Sequence, residues 1–224
     1  MNKTMNFIRL DLITIKPYLT IKNLIIFIAL ALIMIISSGQ SVSGIGIIMV
    51  YSAMYVTYPF AVGEKNDIDA LYNTLSIKRS TVVLGRYLFA LVVDICSGVF
   101  TYCLSYVLMT MLHKDFKAWE TLLITFVMFL VYSVLQAVQL PIFFKLGYTR
   151  AKFFAYLPFV GLPLAVLIFT NLLKDTITIE QVAHILEWFT TNPQIAALFG
   201  AIIWLGLMAI SYQISLSYYN KRDF

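Results

Sequence analysis

From Thr81 to Leu112 the chain carries only two charged side chains, Arg86 and Asp94. About 20 apolar helical residues cross the hydrocarbon of a bilayer, so a run of this length and composition fits a helix in lipid. The whole chain agrees, with 61% hydrophobic and 12% charged residues and a mean hydropathy of +0.87, far from the balance of a soluble domain. At roughly 20 residues per span, six spans and their connections consume nearly all of the 224 residues. The expectation is an all-α integral membrane protein folded as one helical bundle, with no separate soluble catalytic domain.

Polar junctions divide the chain. Between Asn2 and Tyr18, Phe7, Leu10, Leu12 and Ile13 recur near helical spacing while Lys3, Arg9, Asp11 and Lys16 stay polar, which predicts an interfacial helix ending near Pro17. Spans are expected at about 22–38, 43–62, 81–112, 119–144, 153–173 and 195–217, with a charged segment at 63–80 between the second and third. Pro158 and Pro163 predict a kink in the fifth. The stretch from Lys174 to Pro193 is too polar to span. Its Ile179, Val182, Ile185, Leu186 and Phe189 share one helical face, and Thr178 and Gln181 are spaced as a capping box, which predicts an amphipathic helix at the outer surface. The first apolar run follows some twenty polar and amphipathic residues and precedes no small-residue cleavage pattern, so no cleavable signal peptide is expected.

Basic residues set the orientation, because translocation of Lys and Arg is disfavoured. Lys3, Arg9, Lys16, Lys22, Lys65, Lys78, Arg79, Arg86, Lys145, Arg150, Lys152, Lys221 and Arg222 fall on one side of the expected spans, thirteen of the sixteen in the chain. Lys114, Lys117 and Lys174 fall on the other. Both termini and the 63–80 segment are therefore expected in the cytoplasm. The net charge of +5 serves this topology rather than nucleic acid binding.

Polar groups inside the spans are costly and face protein or water. Asp94, Ser97, Thr101 and Ser105 recur at steps of three and four, forming one stripe on the third span; Tyr51, Tyr55 and Tyr58 form another on the second, and Ser133, Gln136 and Gln139 a third on the fourth. Two readings stand for Asp94: a contact for cationic or amphipathic cargo, or an interhelical hydrogen bond. For the tyrosines they are a pathway lining or an aromatic belt. Cys96 and Cys103, about 10 Å apart along one helix, cannot pair and read as buried apolar side chains. His113 and His184 lie in expected outer segments, so no metal-binding or catalytic residue is expected.

Within the charged segment, Ile68, Leu71, Tyr72 and Leu75 stand at i, i+3, i+4 and i+7, and Asp67 and Asp69 sit where the N-terminal dipole favours them. This is a short helix with one apolar face, which lies on headgroups, on the bundle or on a partner protein. Its sequence has the form E-K-x-D-x-x-x-L-Y-x-T-L-S-I-K-R from Glu64 to Arg79, followed by V-x-G-R-Y-L from Val83 to Leu88. Together with the span pattern this resembles the permease subunits of ABC-2 type exporters, over essentially the whole chain as one transmembrane domain (1–224). Within that family it looks closest to the small permeases that export phenol-soluble modulins.

The resemblance implies a bacterial cell-membrane permease that moves amphipathic or hydrophobic cargo, such as phenol-soluble modulins or antimicrobial peptides, outward by alternating access. It implies that Glu64, Asp67, Ile68, Leu71, Tyr72, Leu75, Lys78 and Arg79 form a coupling helix and its flanks, seated in a groove of a cytoplasmic ABC ATPase. A second permease, identical or paralogous, completes the transporter. Ser76 stands where the family often has proline, a departure that would allow a longer helix. The chain contains no G-x-x-x-x-G-K-[ST] phosphate loop, so it binds no cofactor itself, and ATP and Mg belong to the partner. Asp94, Ser97, Thr101, Tyr51, Tyr55 and Gln136 are the expected cargo-pathway residues. The rival reading is a self-contained secondary transporter or a membrane assembly factor without an ATPase; secondary transporters carry internal repeats and ionisable residues in several spans, whereas Asp94 stands nearly alone here.

Overall fold

The computed structural model describes residues 9–13, 16, 20–38, 41–66, 68, 71–72, 77–154 and 193–222. Among them all regular structure is helical: α1 (Ile21–Ser38), α2 (Ser41–Tyr55), α3 (Tyr58–Lys65), α4 (Arg79–Met111), α5 (Ala118–Leu146) and α6 (Pro193–Asn220). Four stretches are long and apolar enough to cross a membrane, Gly44–Lys65, Arg79–Met111, Ala118–Leu146 and Leu198–Asn220, and Leu24–Ser38 is a shorter apolar helix. Further helical residues occur at 9–13 and 148–154. The expected fifth span beyond 154, its two prolines, the outer amphipathic helix, His184 and most of the N-terminal interfacial helix lie outside the described residues.

The second apolar run differs from its expectation in a way that follows from one residue. Pro59 has no N–H, so the carbonyl of Tyr55 loses its helical donor and the ladder breaks after α2. A turn at Val56 and Thr57 follows, closed by the Thr57 N–H and Oγ1 on the Met54 carbonyl at 3.1 and 2.7 Å. The chain then resumes as α3 and carries Gly63, Glu64 and Lys65 within the helix. Polarity marked these three as a junction, but a backbone ladder does not need apolar side chains once it has left the hydrocarbon.

α4 has 33 residues and is therefore about 50 Å long, more than the bilayer core requires. It ends with the Leu112 N–H on the Leu108 carbonyl at 2.9 Å and the Lys114 N–H on the Met109 carbonyl at 3.0 Å. Between them His113 has a φ of 51°, the left-handed position usually given to glycine in this type of stop. At the same end of the bundle, α1 and α2 approach so closely that a Cβ on Gly44 would stand 2.4 Å from the Ile35 side chain.

α2 packs against α1, α4 and α5, and α6 packs along α5 and α4. The main core gathers near the α3–α4 connection: Val56, Tyr72, Val82, Tyr87, Phe144 and Tyr219 belong to it. Outward faces are apolar too, with Ile25, Val99, Leu198 and Ile203 each more than half exposed. This inverts the soluble rule, since lipid is as apolar as the interior. It also corrects the reading of Cys96 and Cys103 as buried: both are exposed.

A second proline organises the polar interior. Pro141 lies inside α5 and leaves the carbonyl of Ala137 without its helical donor. The Ser211 hydroxyl of α6 donates to that carbonyl. Tyr87 of α4 shares its hydroxyl with Ser211 and, at 2.8 Å, with Ser215. Three helices are thus tied at the point where one ladder is interrupted.

Candidate functional site

The segment between α3 and α4 enters and leaves the bundle at one end. Ile68 packs against the main core, Tyr72 is 4% exposed within it, and Leu71 is 53% exposed. Positions three and four residues after Ile68 fall on either side of it around a helix, so the apolar face is divided between the bundle and the outside. Lys65 and Asn66 before this stretch and Lys78 after it are exposed. Asp67 and Leu75 lie outside the described residues.

Glu64 and Arg79, the flanks of this segment, are engaged within the chain. Glu64 Oε2 accepts the Thr149 backbone N–H at 3.0 Å, at the start of the helical residues 148–154. The turn before them is made by Gly147, with φ 75°; a Cβ there would stand 2.9 Å from Glu64 Oε2 and 3.2 Å from Arg222 Nη2. Arg79 Nη1 donates to the carbonyls of Tyr219 and Asn220 at 3.1 and 2.6 Å. These carbonyls end α6, where helical partners run out and a cation is favoured by the dipole.

Beside this cluster lies an ion pair that sequence reasoning missed. Arg86 Nη1 and Asp11 Oδ1 are 2.8 Å apart, with the side chains 4% and 1% exposed. The guanidinium also lies over the Phe60 ring, 5.0 Å from its centroid. Asp11 was expected on the polar face of an interfacial helix and Arg86 among the orienting charges. The available signal was Arg86 itself, an arginine placed inside an apolar run, where a charge needs a partner.

The intramembrane stripes separate into two groups. Asp94 has no exposed surface; its carboxylate accepts from Gln136 Nε2 at 2.8 Å and Ser133 Oγ at 3.2 Å, joining the third and fourth apolar runs. Thr101, Ser105 and Gln139 are buried too, and the Ser97 and Thr101 hydroxyls bond back to the carbonyls of Asp94 and Ser97 at 2.9 and 2.6 Å. Tyr51, Tyr55 and Ser97 instead line an open cleft between α1, α2 and α4, with Phe27, Val92 and Phe100. The two tyrosine hydroxyls bond each other, and the Tyr51 ring lies tilted by 31° against Phe27 with ring centroids 4.0 Å apart. Among the described residues no cluster of His, Cys, Asp or Glu has the composition of a metal site.

A family model described as "ABC-2 family transporter protein" matches residues 6–220. No curated protein and no solved structure matches the chain.

Proposed function

This chain belongs to the ABC-2 transporter family, and on that premise we propose that the segment between α3 and α4 is the element through which a separate ATPase drives it. Membership implies the membrane permease component of an ABC exporter, and in this reading its ATP-hydrolysing partner is another subunit. The observation that carries the proposal is Leu71, a large apolar side chain 53% exposed and flanked in the chain by exposed Lys65 and Lys78, while its neighbours Ile68 and Tyr72 seat the segment on the core. Such a surface suits a shallow groove with an acidic rim. In this reading the chain crosses a bacterial plasma membrane six times, both termini and the segment are cytoplasmic, and a second permease completes the transporter.

Leu71→Asp is expected to lower co-purification of the ATPase by about tenfold, the effect of 1.4 kcal/mol at an interface. The unfolding midpoint of the permease alone should not move, because Leu71 is not part of the core. Unchanged ATPase binding by this variant would remove the segment from the interface.

For the cargo we propose amphipathic peptides of the phenol-soluble modulin type. The cleft supports this reading: its walls are apolar, and the hydroxyls of Tyr51, Tyr55 and Ser97 offer a polar line for a helix with two faces. Asp94 and Gln136 are not among its lining residues; their hydrogen bond braces α4 against α5. Filling the cleft with Ser97→Phe is expected to reduce peptide export about tenfold while ATPase co-purification stays normal. Export at the wild-type rate would place the cargo elsewhere.

A further inference from the structure

The two flanks of the segment meet again at the end of the bundle where the segment lies. Glu64, at the end of α3, reaches the Thr149 N–H and converges with Arg222 on Gly147. Arg79, at the start of α4, reaches the last carbonyls of α6, one residue pair before Arg222. Gly63, Glu64, Gly147, Tyr148, Tyr219 and Arg222 line one small cavity. The chain therefore hooks both ends of one surface element onto the same place, where α5, the helical residues 148–154 and the end of α6 come together.

We propose that Glu64 and Arg79 are positioning residues that carry displacement of the segment to α6 and to residues 148–154, and that neither belongs to the ATPase contact. This rests on the coupling role proposed above. The resemblance to the family groups both residues with the ATPase-facing segment; their hydrogen bonds engage them within the chain. The chemistry of the two hooks differs in a useful way. Arg79 supplies two carbonyls from one nitrogen, and its planar guanidinium fixes the direction of both bonds. Glu64 acts as an acceptor for a backbone N–H, a role in which charge strengthens the bond but the oxygen alone suffices. In this proposal a push on the exposed side of the segment reaches Glu64 and Arg79 at its two ends, and the last turn of α6 and residues 148–154 shift with it.

The test uses the complete transporter, permease with its ATPase, in proteoliposomes, reading ATPase co-purification, basal hydrolysis and cargo-stimulated hydrolysis separately. Arg79→Ala and Glu64→Ala are expected to keep ATPase co-purification within about twofold of wild type and to lose cargo stimulation by about fivefold or more. Glu64→Gln retains an acceptor for the Thr149 N–H and is expected to restore most of the stimulation. Arg79→Lys keeps the charge but not the planar fork; it serves where the alanine variant does not fold, with wild-type ATPase binding and partly reduced stimulation expected. If any of these variants loses the ATPase as Leu71→Asp does, or if both alanine variants keep full stimulation, the proposal is overturned. Failure of the wild-type permease to bind an ATPase at all is a different result, and it overturns the coupling role itself.

Discussion

Asp11→Ala and Arg86→Ala each remove most of the folded permease, and Asp11→Ala is the more damaging of the two. The pair is 4% and 1% exposed with its atoms 2.8 Å apart, so either truncation leaves a charge in a place from which water is excluded. Breaking a buried pair in this way costs about 3–5 kcal/mol, a large part of the stability of a domain. The asymmetry follows from the chemistry of the survivor. A lone carboxyl group can neutralise itself by taking a proton, whereas a guanidinium keeps its charge at any pH a protein meets. Replacing both residues by apolar ones, Asp11→Leu with Arg86→Met, is therefore expected to recover more than half of the loss, because no charge remains to be hydrated. Unfolding midpoints and monodisperse yield of the wild type, Asp11→Leu, Arg86→Met and the protein with both changes, in one detergent, form the double-mutant cycle that measures this. Additive single effects would show that the two side chains do not act as a pair.

The fold was legible where the determining signal is local. Runs read as spans at 81–112, 119–144 and 195–217 appear as helices at Arg79–Met111, Ala118–Leu146 and Pro193–Asn220, because hydrophobic length alone sets where a helix can lie in lipid. The small extensions at their ends arise because polar residues continue a helix into the headgroup region. The second run was read as unbroken, although Pro59 already contained the interruption: a missing N–H at one residue frees a carbonyl four residues earlier. Pro141 held the same information about Ala137, and the serine that answers it lies on another helix.

Pairings between helices were not legible. The stripes of Asp94 and of Gln136 were each visible as periodicity on their own helix, yet periodicity describes one helix and says nothing of which neighbour it faces. Asp11 and Arg86 illustrate the same limit more sharply, since each looked like an ordinary charge at a membrane boundary. The flanks of the exposed segment show how a sequence resemblance groups residues by proximity in the chain. Glu64 and Arg79 belong with Leu71 in sequence, while their hydrogen bonds assign them to the frame beneath it.

Asp94→Ala is the second change with a large expected effect, and comparison with Asp94→Asn separates its two readings. Alanine leaves the Gln136 amide and the Ser133 hydroxyl facing each other across an empty site with no exposed surface. A buried polar group left without its partner costs about 1–3 kcal/mol, and hydrogen bonds between membrane helices are worth about 0.6 kcal/mol each on average. A loss of about 2–3 kcal/mol is expected, with α4 and α5 loosened where they cross. Asparagine fits the same space: its carbonyl oxygen accepts from Gln136 Nε2, and its amide donates to Ser133 Oγ, which exchanges the donor role for the acceptor role. Its expected cost is below about 1 kcal/mol. Export at matched expression should then follow the brace, nearly normal for Asp94→Asn and strongly reduced for Asp94→Ala. A stable Asp94→Asn permease that still recruits its ATPase but no longer exports would show that the charge itself meets the cargo, and the pathway would then run through the α4–α5 seam instead of the tyrosine-lined cleft.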